Sequence, residues 1–498
     1  MKIKEMIKNN FLIVILFIIS TSFFIFQHYN MLSWDFSSYV LNAKYLFYNG
    51  TYFEVYRAPM ASFLLGFFLL FNNLSEYLYI IFVSSLFFYA NIKLSTILFE
   101  KYFSKSIENK ETIKNNNKQL IMFVFYFFSL SYFVLLFGTQ VGTELLGLAF
   151  FELFLAYFLN NKISGHFLAL AFLSRYNFML FLPFLLLNKD YKKILKNILA
   201  FILVISPWLI FNYLTFGNFF TSIIDSYALN VFNRQNVAQP FKFASLLEPI
   251  NWFLPLFLIG IFYSIIKIIK NKNRIFYNNK EDWLFFSIFL LIVYDFYSTP
   301  FKINRYLFNL SLPIAFFSLS GTIFLKKIFK IPLKIIIITL LIIFLFTSYG
   351  LYLSYNHLRP EHNKFYDAAK DIKKLNIENC LILSPHWVLI TYFTENVYPL
   401  GLNNLNEGIN RNEIILIFYK DTTIDDIFNI NDIDKLPQIL KTNNYVFLGK
   451  KGISNETCSK KYVYNPPYVK NHCEIISTKF KKIGFDKLAL KSCNLINP

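Results

Sequence analysis

The sequence FLIVILFIISTSFFIF at residues 11–26 is an apolar run of membrane-spanning length, and it decides the fold class. About 20 apolar residues are needed to cross the hydrocarbon core of a bilayer. Comparable runs recur at 198–214 and 331–353. The basic segment MKIKEMIKNN before the first run is typical of a signal peptide, but no small-residue cleavage site follows it. We therefore predict an uncleaved first helix in an all-α polytopic membrane protein.

Composition and charge support this class and orient the chain. Of the 498 residues, 55% are hydrophobic and only 16% are charged, whereas soluble proteins carry about 25% charged residues. The net charge is +19, and residues 1–352 hold 30 Lys and Arg against 15 Asp and Glu. These basic residues cluster in alternate loops, which is the positive-inside pattern. We therefore expect a cytoplasmic N-terminus, contact with membrane lipids and no nucleic-acid partner.

The apolar pattern predicts about eleven transmembrane helices in residues 1–352. The spans lie near 11–27, 77–98, 119–137, 143–160, 163–175, 176–188, 197–216, 251–270, 282–298, 306–325 and 331–352. The segment PMASFLLGFFLLF (59–71) is too short to cross, so we interpret it as a re-entrant or interfacial helix within the first outer loop, 28–76. An odd number of spans places everything after residue 353 outside the cytoplasm.

Residues 353–498 differ from the rest of the chain because they contain no spanning run. They hold 19 Lys and Arg with 15 Asp and Glu, which predicts a soluble extracytoplasmic domain. The segments 380–384, 413–419 and 445–449 are typical of short buried strands, and 362–376 and 433–440 favour helices. Strands that alternate with helices indicate an α/β domain.

Two further features fit an outer location for this domain. Cys458, Cys473 and Cys493 lie near the C-terminus, and a disulfide between two of them is one expectation, whereas Cys380 reads as a buried strand residue. The triplets NGT at 49–51 and NET at 455–457 match the glycosylation sequon, so Asn49 and Asn455 are candidate acceptors.

Several ionisable residues share the predicted outer membrane face. Within MLSWDFSSYVLNAKYLFYNGTYFEVYRAPM (31–60) these are Asp35, Glu54 and Arg57, and later segments add Glu144, Arg175, Lys302 and Arg305. Each has an ordinary interpretation: arginines snorkel to lipid headgroups, acids cap helices, and Glu54 is best read as a solvated loop residue. Together, however, carboxylates beside arginines at a membrane mouth suit a substrate with a lipid tail and a phosphate head.

The order of these segments resembles the polytopic C-type glycosyltransferases that use lipid-phosphate sugars. The first loop WDFSSYVLNAKYLFYNGTYF with YRAPMASFLLGFFLLF, then GHFLALAFLSRYNFMLFLPFLLL and INRYLFNLSLP, resembles the protein O-mannosyltransferases and the aminoarabinose transferases over residues 1–352. Phe36 stands where the O-mannosyltransferases usually have a second acid, and Ala58-Pro59 replaces their Pro-Pro. These departures leave the acceptor open among glycan, lipid and protein.

The resemblance implies transfer of a sugar from a polyprenyl or dolichyl phosphate carrier to an acceptor at the outer membrane face. It makes Asp35 the general base and Arg57, Arg175, Lys302 and Arg305 the ligands of the donor phosphate. Glu144 would orient the acceptor or bind a divalent metal, although no cofactor is required. The alternatives are a transporter or flippase of a lipid-linked saccharide, disfavoured because no internal repeat is visible, and a membrane-anchored sensor.

Overall fold

The protein is described here by a computed structural model covering residues 11–50, 52–103, 111–187, 190–232, 238–270, 280–329, 333–356, 359–394, 396–400, 405–419, 433 and 435–459. The described residues form two compact units. Residues 11–27 and 55–352 make up the membrane unit, and residues 28–54 and 353–459 make up the C-terminal unit. The sequence-based division at 352 differs in one respect, because residues 28–54 of the first outer loop group with the C-terminal unit.

Helices dominate the described chain. In chain order they are α1 (Phe11–Asn30), α2 (Trp34–Tyr48), α3 (Met60–Phe68), α4 (Ser75–Leu98), α5 (Glu111–Ser129), α6 (Tyr132–Phe137), α7 (Glu144–Leu159), α8 (Gly165–Ser174), α9 (Tyr191–Phe216), α10 (Thr221–Tyr227), α11 (Leu254–Lys270), α12 (Lys280–Ser298), α13 (Ser311–Phe329), α14 (Leu333–Asn356), α15 (Arg359–Lys374), α16 (Trp387–Thr391) and α17 (Leu405–Asn410). Short 3₁₀ segments include Leu69–Leu74, Tyr176–Leu186 and Asn304–Leu310.

The predicted polytopic helical architecture is confirmed. Six helical stretches within the described residues are long and apolar enough to cross a membrane. The predicted span 119–137 is divided between α5 and α6. The predicted short helix at 59–71 is present as α3 followed by a 3₁₀ turn. The non-helical backbone of Asn72 (φ 50°) separates this helix from α4. The chain is a multi-pass membrane protein, and the count of eleven spans stays a prediction.

Two glycines bring helices α11 and α13 into backbone contact. A Cβ atom on Gly260 would lie 1.8 Å from the carbonyl oxygen of Phe317, and one on Gly321 would lie 2.1 Å from that of Leu256. No side chain larger than hydrogen fits at either position. Small residues of this kind let transmembrane helices approach closely. Close approach strengthens the van der Waals attraction between the helices, which matters because the hydrophobic effect does not drive helix association within lipid.

The C-terminal unit contains a mixed five-stranded sheet. Its strands are β1 (Ile382–Ser384), β2 (Val397–Pro399), β3 (Ile414–Phe418), β4 (Gln438–Lys441) and β5 (Tyr445–Leu448), in the order β2-β1-β3-β5-β4. The pairs β1–β2 and β1–β3 are parallel, and the pairs formed by β5 are antiparallel. The predicted strands near 380, 413 and 445 and the helix near 362 are therefore present, and the α/β class is confirmed.

The predicted helix at 433–440 is wrong. Gln438–Lys441 is instead the edge strand β4, which pairs with β5. Pro437 directly precedes it and has no N–H to donate. Proline is tolerated at the first position of an edge strand, and a segment of eight residues is too short for its periodicity to separate helix from strand.

Each face of the sheet carries its own apolar core. Alternate residues of β3 point to opposite faces, so Leu416 and Phe418 join a core with helices α15 and α16, whereas Ile415 and Ile417 join a second core with α17. A disulfide links Cys380, just before β1, to Cys458. The expectation that Cys458 pairs with Cys473 or Cys493 is therefore wrong, because the fold brings it beside Cys380; those two later residues lie outside the described part of the chain.

This disulfide closes a sequence separation of 78 residues. Because the crosslink removes conformational entropy from the unfolded chain, we expect Cys380→Ser to lower the free energy of unfolding of the C-terminal unit by about 3 kcal/mol. Unfolding of the full-length protein in detergent, compared with Cys458→Ser, measures this, and the two variants should match because each removes the same bond. A non-reducing peptide map that found Cys458 bound to another cysteine would contradict the pairing.

Candidate active site

The membrane unit holds a buried carboxylate at the start of α7. Glu144 is the first residue of that helix and is only 1% exposed. The N-terminus of a helix stabilises a negative charge through the helix dipole. The Thr143 hydroxyl also donates a hydrogen bond to Glu144 Oε2 at 3.2 Å. The N-cap of this helix is Thr143, so the expectation that Glu144 caps the helix is wrong. Burial of the charge requires a cationic partner as well.

Two arginines from distant parts of the chain supply that charge. Arg175 Nη1 lies 2.8 Å from Glu144 Oε1, and Arg305 Nε lies 3.6 Å from the same oxygen. Their side chains are 13% and 24% exposed. A guanidinium carries five N–H donors in a planar fork, more than one carboxylate oxygen can accept. The structure therefore brings three predicted residues together, with arginine side chains that remain in part accessible.

Breaks in the helical structure position both arginines. Arg175 has an extended backbone (φ −153°, ψ 123°) that ends α8 and begins the 3₁₀ segment Tyr176–Leu186. Arg305 lies in the 3₁₀ segment that precedes α13. Both arginines therefore lie where the regular α-helix is interrupted.

A fourth charged group, Asp295 on α12, also belongs to this cluster. It interacts electrostatically with Arg175 and is half-buried. The sequence interpretation missed this residue. The signal was present, because an acid within the apolar run 282–298 is uncommon in a membrane span.

A hydrogen-bond network fixes the chain beside Arg175. Tyr176 and Trp208 donate to the buried hydroxyl of Ser222 at 3.0 and 2.9 Å, and the Asn212 amide donates to it at 2.9 Å. The Tyr176 hydroxyl also approaches the carbonyl oxygen of Arg57 at 3.4 Å. Arg57, which is 9% exposed, therefore lies beside the segment that carries Arg175.

Lys302 has a different environment. Its ammonium donates to the carbonyl oxygens of Phe296 at 2.8 Å and Tyr297 at 2.7 Å, and also to that of Thr299. Partial burial lowers the pKa of Lys302 from its ordinary value. A lysine at the end of a helix stabilises the unpaired carbonyls there. This geometry gives Lys302 a structural role at the C-terminus of α12.

Asp35 belongs to the C-terminal unit and lies in the first turn of α2. The N-cap of this helix is Ser33, whose hydroxyl accepts from the Phe36 N–H at 3.1 Å, so Asp35 itself is not the cap. The expectation that Glu54 is solvated is wrong. Glu54 is 4% exposed, and Asn42 bonds its backbone N–H and carbonyl at 2.8 and 3.0 Å.

The two sequon asparagines have distinct surroundings. Asn49 is exposed and ends α2 in a left-handed conformation (φ 54°). Asn455 accepts from the Asn379 N–H at 3.0 Å and donates to Asn376 Oδ1 at 2.8 Å. Its amide nitrogen therefore already serves a structural hydrogen bond. Glycosylation at Asn49 and Asn455 stays a prediction.

Another buried acid lies within α7. Glu152 is fully buried, and Asn91 on α4 donates to its Oε2 at 2.8 Å, which ties the two helices together. The sequence interpretation missed Glu152 although it interrupts the apolar run LAFFELFLAYFL. Among the described residues, no group of three or more His, Cys, Asp and Glu has the geometry to hold a metal ion.

Comparison with solved structures identifies the fold. Crystal structures of ArnT from Cupriavidus metallidurans, bound to undecaprenyl phosphate and in the apo state, match with TM-scores of 0.56 and 0.53. The chain has the fold of ArnT. The sequence identities are 11% and 10%, and each match covers 87% of this chain and 97% of the ArnT chain. No family model and no curated protein sequence matches this chain.

The predicted resemblance is confirmed at the level of the fold by this likeness to ArnT. The match extends over most of both chains. At this low identity the likeness concerns the fold alone, so the roles of Glu144, Arg175 and Arg305 are argued from their own geometry.

Proposed function

We propose that the protein is a membrane glycosyltransferase that moves a sugar from a polyprenyl phosphate carrier to an acceptor at the outer face of the membrane. The observation that carries the proposal is the cluster in which Glu144 holds Arg175 and Arg305 at 2.8 and 3.6 Å. Arginine forks match phosphate oxygens. In ArnT, the same fold binds undecaprenyl phosphate, which favours a lipid phosphate as the ligand of the arginines here.

In the proposed reaction, an acceptor hydroxyl attacks the anomeric carbon of the donor sugar. The bond between that carbon and the phosphate oxygen breaks, and its electron pair leaves with the lipid phosphate. Asp35 takes the proton of the acceptor hydroxyl as the general base. Arg175, Arg305 and Arg57 stabilise the negative charge that develops on the leaving phosphate. No nucleotide takes part, and a divalent metal is not required.

The proposed orientation places the C-terminal unit outside the cytoplasm. The alternate clusters of Lys and Arg support a cytoplasmic N-terminus. The disulfide between Cys380 and Cys458 supports an oxidising compartment for the C-terminal unit. An outer acceptor is therefore expected.

A deletion strain of the source organism tests the function. We expect its envelope to lack one sugar and its membranes to accumulate the lipid-linked donor at the outer face. The accumulated lipid, extracted and given to the purified protein with deletion-strain envelope as the acceptor, should restore the missing sugar. Accumulation of a complete lipid-linked saccharide on the cytoplasmic side, with no transfer by the purified protein, would instead identify a flippase.

Arg305 provides a sharper test of the phosphate site. We expect Arg305→Ala to raise the donor KM about tenfold, because a charge-assisted hydrogen bond contributes about 1.5–3 kcal/mol, and to leave the acceptor KM nearly unchanged. Binding of undecaprenyl phosphate to the purified variant checks the donor effect directly. Lys242→Ala, which removes an exposed cation from the same unit, serves as the matched control. An unchanged donor KM would remove Arg305 from the phosphate site.

A further inference from the structure

Helix α2, which carries Asp35, is built into the C-terminal unit. Its 15 residues are Trp34–Tyr48. Isolated helices of this length are marginal in water, so tertiary packing must supply most of their stability. Within this unit the packing partner is α16, which follows β1 after Pro385 and His386.

Aromatic and apolar contacts join α2 to α16. The rings of Trp34 and Trp387 meet edge to face with centroids 5.9 Å apart, and Tyr52 contacts Trp387 at 4.8 Å. Leu41, Tyr52 and Val388 form a small core, against which Trp34 and Trp387 also pack. Edge-to-face aromatic pairs are favoured by the ring quadrupoles. The contact therefore fixes the helix at the residue that precedes Asp35.

The far end of α2 is held in the same way. The Lys44 ammonium donates to the carbonyl oxygen of Tyr392 at 3.4 Å and lies 5.7 Å from the centre of its ring. Trp34, Leu41 and Lys44 are separated by 7 and 3 positions. Such spacing places residues on one side of a helix. Contacts at both ends of this face oppose rotation of α2 about its axis.

Helix α16 is itself anchored in the sheet. Leu389 and Ile390 belong to the core on one face of the sheet, and Trp34 packs against the same core. The Thr391 hydroxyl donates to the carbonyl oxygen of Val397 on β2 at 2.9 Å. Displacement of α2 would therefore disturb the sheet core, so the helix is held by the whole α/β unit.

We propose that the C-terminal α/β unit is the scaffold that positions Asp35 for proton abstraction, and that Trp387 is the positioning residue of this contact. The inference rests on the proposed glycosyltransferase function and deepens it. It assigns a task to the α/β unit within the transfer reaction itself. Trp387 acts on the reaction through Trp34 and α2 and touches no substrate.

The test uses the full-length protein with the donor lipid extracted from the deletion strain and deletion-strain envelope as acceptor. We expect Trp387→Ala to lower kcat by about 10- to 100-fold, because small misplacements of a reacting group have effects of this size. The donor KM and the affinity for undecaprenyl phosphate should stay within about twofold of wild type, since phosphate binding belongs to the membrane unit. Trp387→Phe should restore most of the activity.

A second measurement separates positioning from general damage. Hydrogen exchange of residues 34–48 should accelerate in Trp387→Ala and not in Tyr419→Ala, which removes a half-buried aromatic ring packed on the opposite core. Tyr419→Ala should keep its kcat. The inference is overturned if Trp387→Ala retains wild-type kcat, if residues 34–48 keep their protection, or if Tyr419→Ala loses as much activity. Inactivity of the wild-type protein would instead refute the proposed function on which the inference rests.

Discussion

Asp35→Asn should abolish sugar transfer while the protein still inserts into the membrane and binds the lipid donor. The two side chains have nearly the same shape, but a carboxamide cannot accept the proton of the acceptor hydroxyl. Loss of a general base costs about 10²- to 10⁴-fold in rate. We therefore expect kcat to fall by that factor with a donor KM close to wild type. Initial rates with extracted donor lipid measure both constants.

A loss of activity in Asp35→Asn could also arise from loss of stability, and control variants separate the two causes. Asp35 lies in the first turn of α2, where a negative charge favours the helix, so the asparagine variant must also be checked for stability. Asp367→Asn is the matched control because it removes an exposed acid from another helix of the same unit. Asp35→Glu should retain partial activity, since the base is kept and only its reach changes. A normal kcat in Asp35→Asn would exclude Asp35 as the base.

The sequence predicted the architecture well because lipid leaves few structural choices. A backbone in hydrocarbon must satisfy its own hydrogen bonds, so apolar runs such as 11–26 are necessarily helical. Positions of helices follow from hydropathy, but breaks inside them do not. The interruption after α5 lies inside one predicted span, 119–137, and was not predicted. The break at Asn72, in contrast, falls in the gap between the predicted segments 59–71 and 77–98.

The sequence identified the residues of the charged cluster but not the contacts between their side chains. Glu144, Arg175 and Arg305 were recognisable because each interrupts apolar sequence at a predicted membrane mouth. That two guanidinium groups approach the same oxygen of Glu144 required the fold. Lys302 satisfied the same sequence criterion, yet its ammonium binds the carbonyls at the end of α12. The local sequence therefore predicts that a charged residue lies near the membrane surface, but it does not predict which side chains that residue contacts.

The C-terminal unit was less predictable for the same reason. Strand β4 and the partner of Cys458 are both determined by tertiary contacts, with β5 in one case and Cys380 in the other. The grouping of α2 with this unit could not be inferred from sequence order, because more than 300 residues separate Trp34 from Trp387. Long-range packing of this kind supplies the proposed positioning of Asp35.

Disruption of the ion pair between Glu144 and Arg175 should cause a large loss of stability in the membrane unit. Arg175→Ala leaves a carboxylate that is 1% exposed with its remaining arginine contact at 3.6 Å. Removing one partner of a buried pair typically costs about 3–5 kcal/mol, because the other charge stays buried without compensation. Arg305 retains part of that compensation, so we expect about 3 kcal/mol from reversible unfolding in mixed detergent micelles.

A double-mutant cycle determines whether the loss arises from this pair. Glu144→Ala combined with Arg175→Ala removes both charges, so the double variant should be more stable than the sum of the single losses predicts. The expected coupling is about 1–3 kcal/mol, the range for residues in direct contact. Lys326→Ala, in the last turn of α13, is the control, and its effect on stability should add to that of either single change. Strictly additive losses for Glu144 and Arg175 would show that the 2.8 Å contact contributes no net stability, and a phosphate site organised by Glu144 would then be untenable.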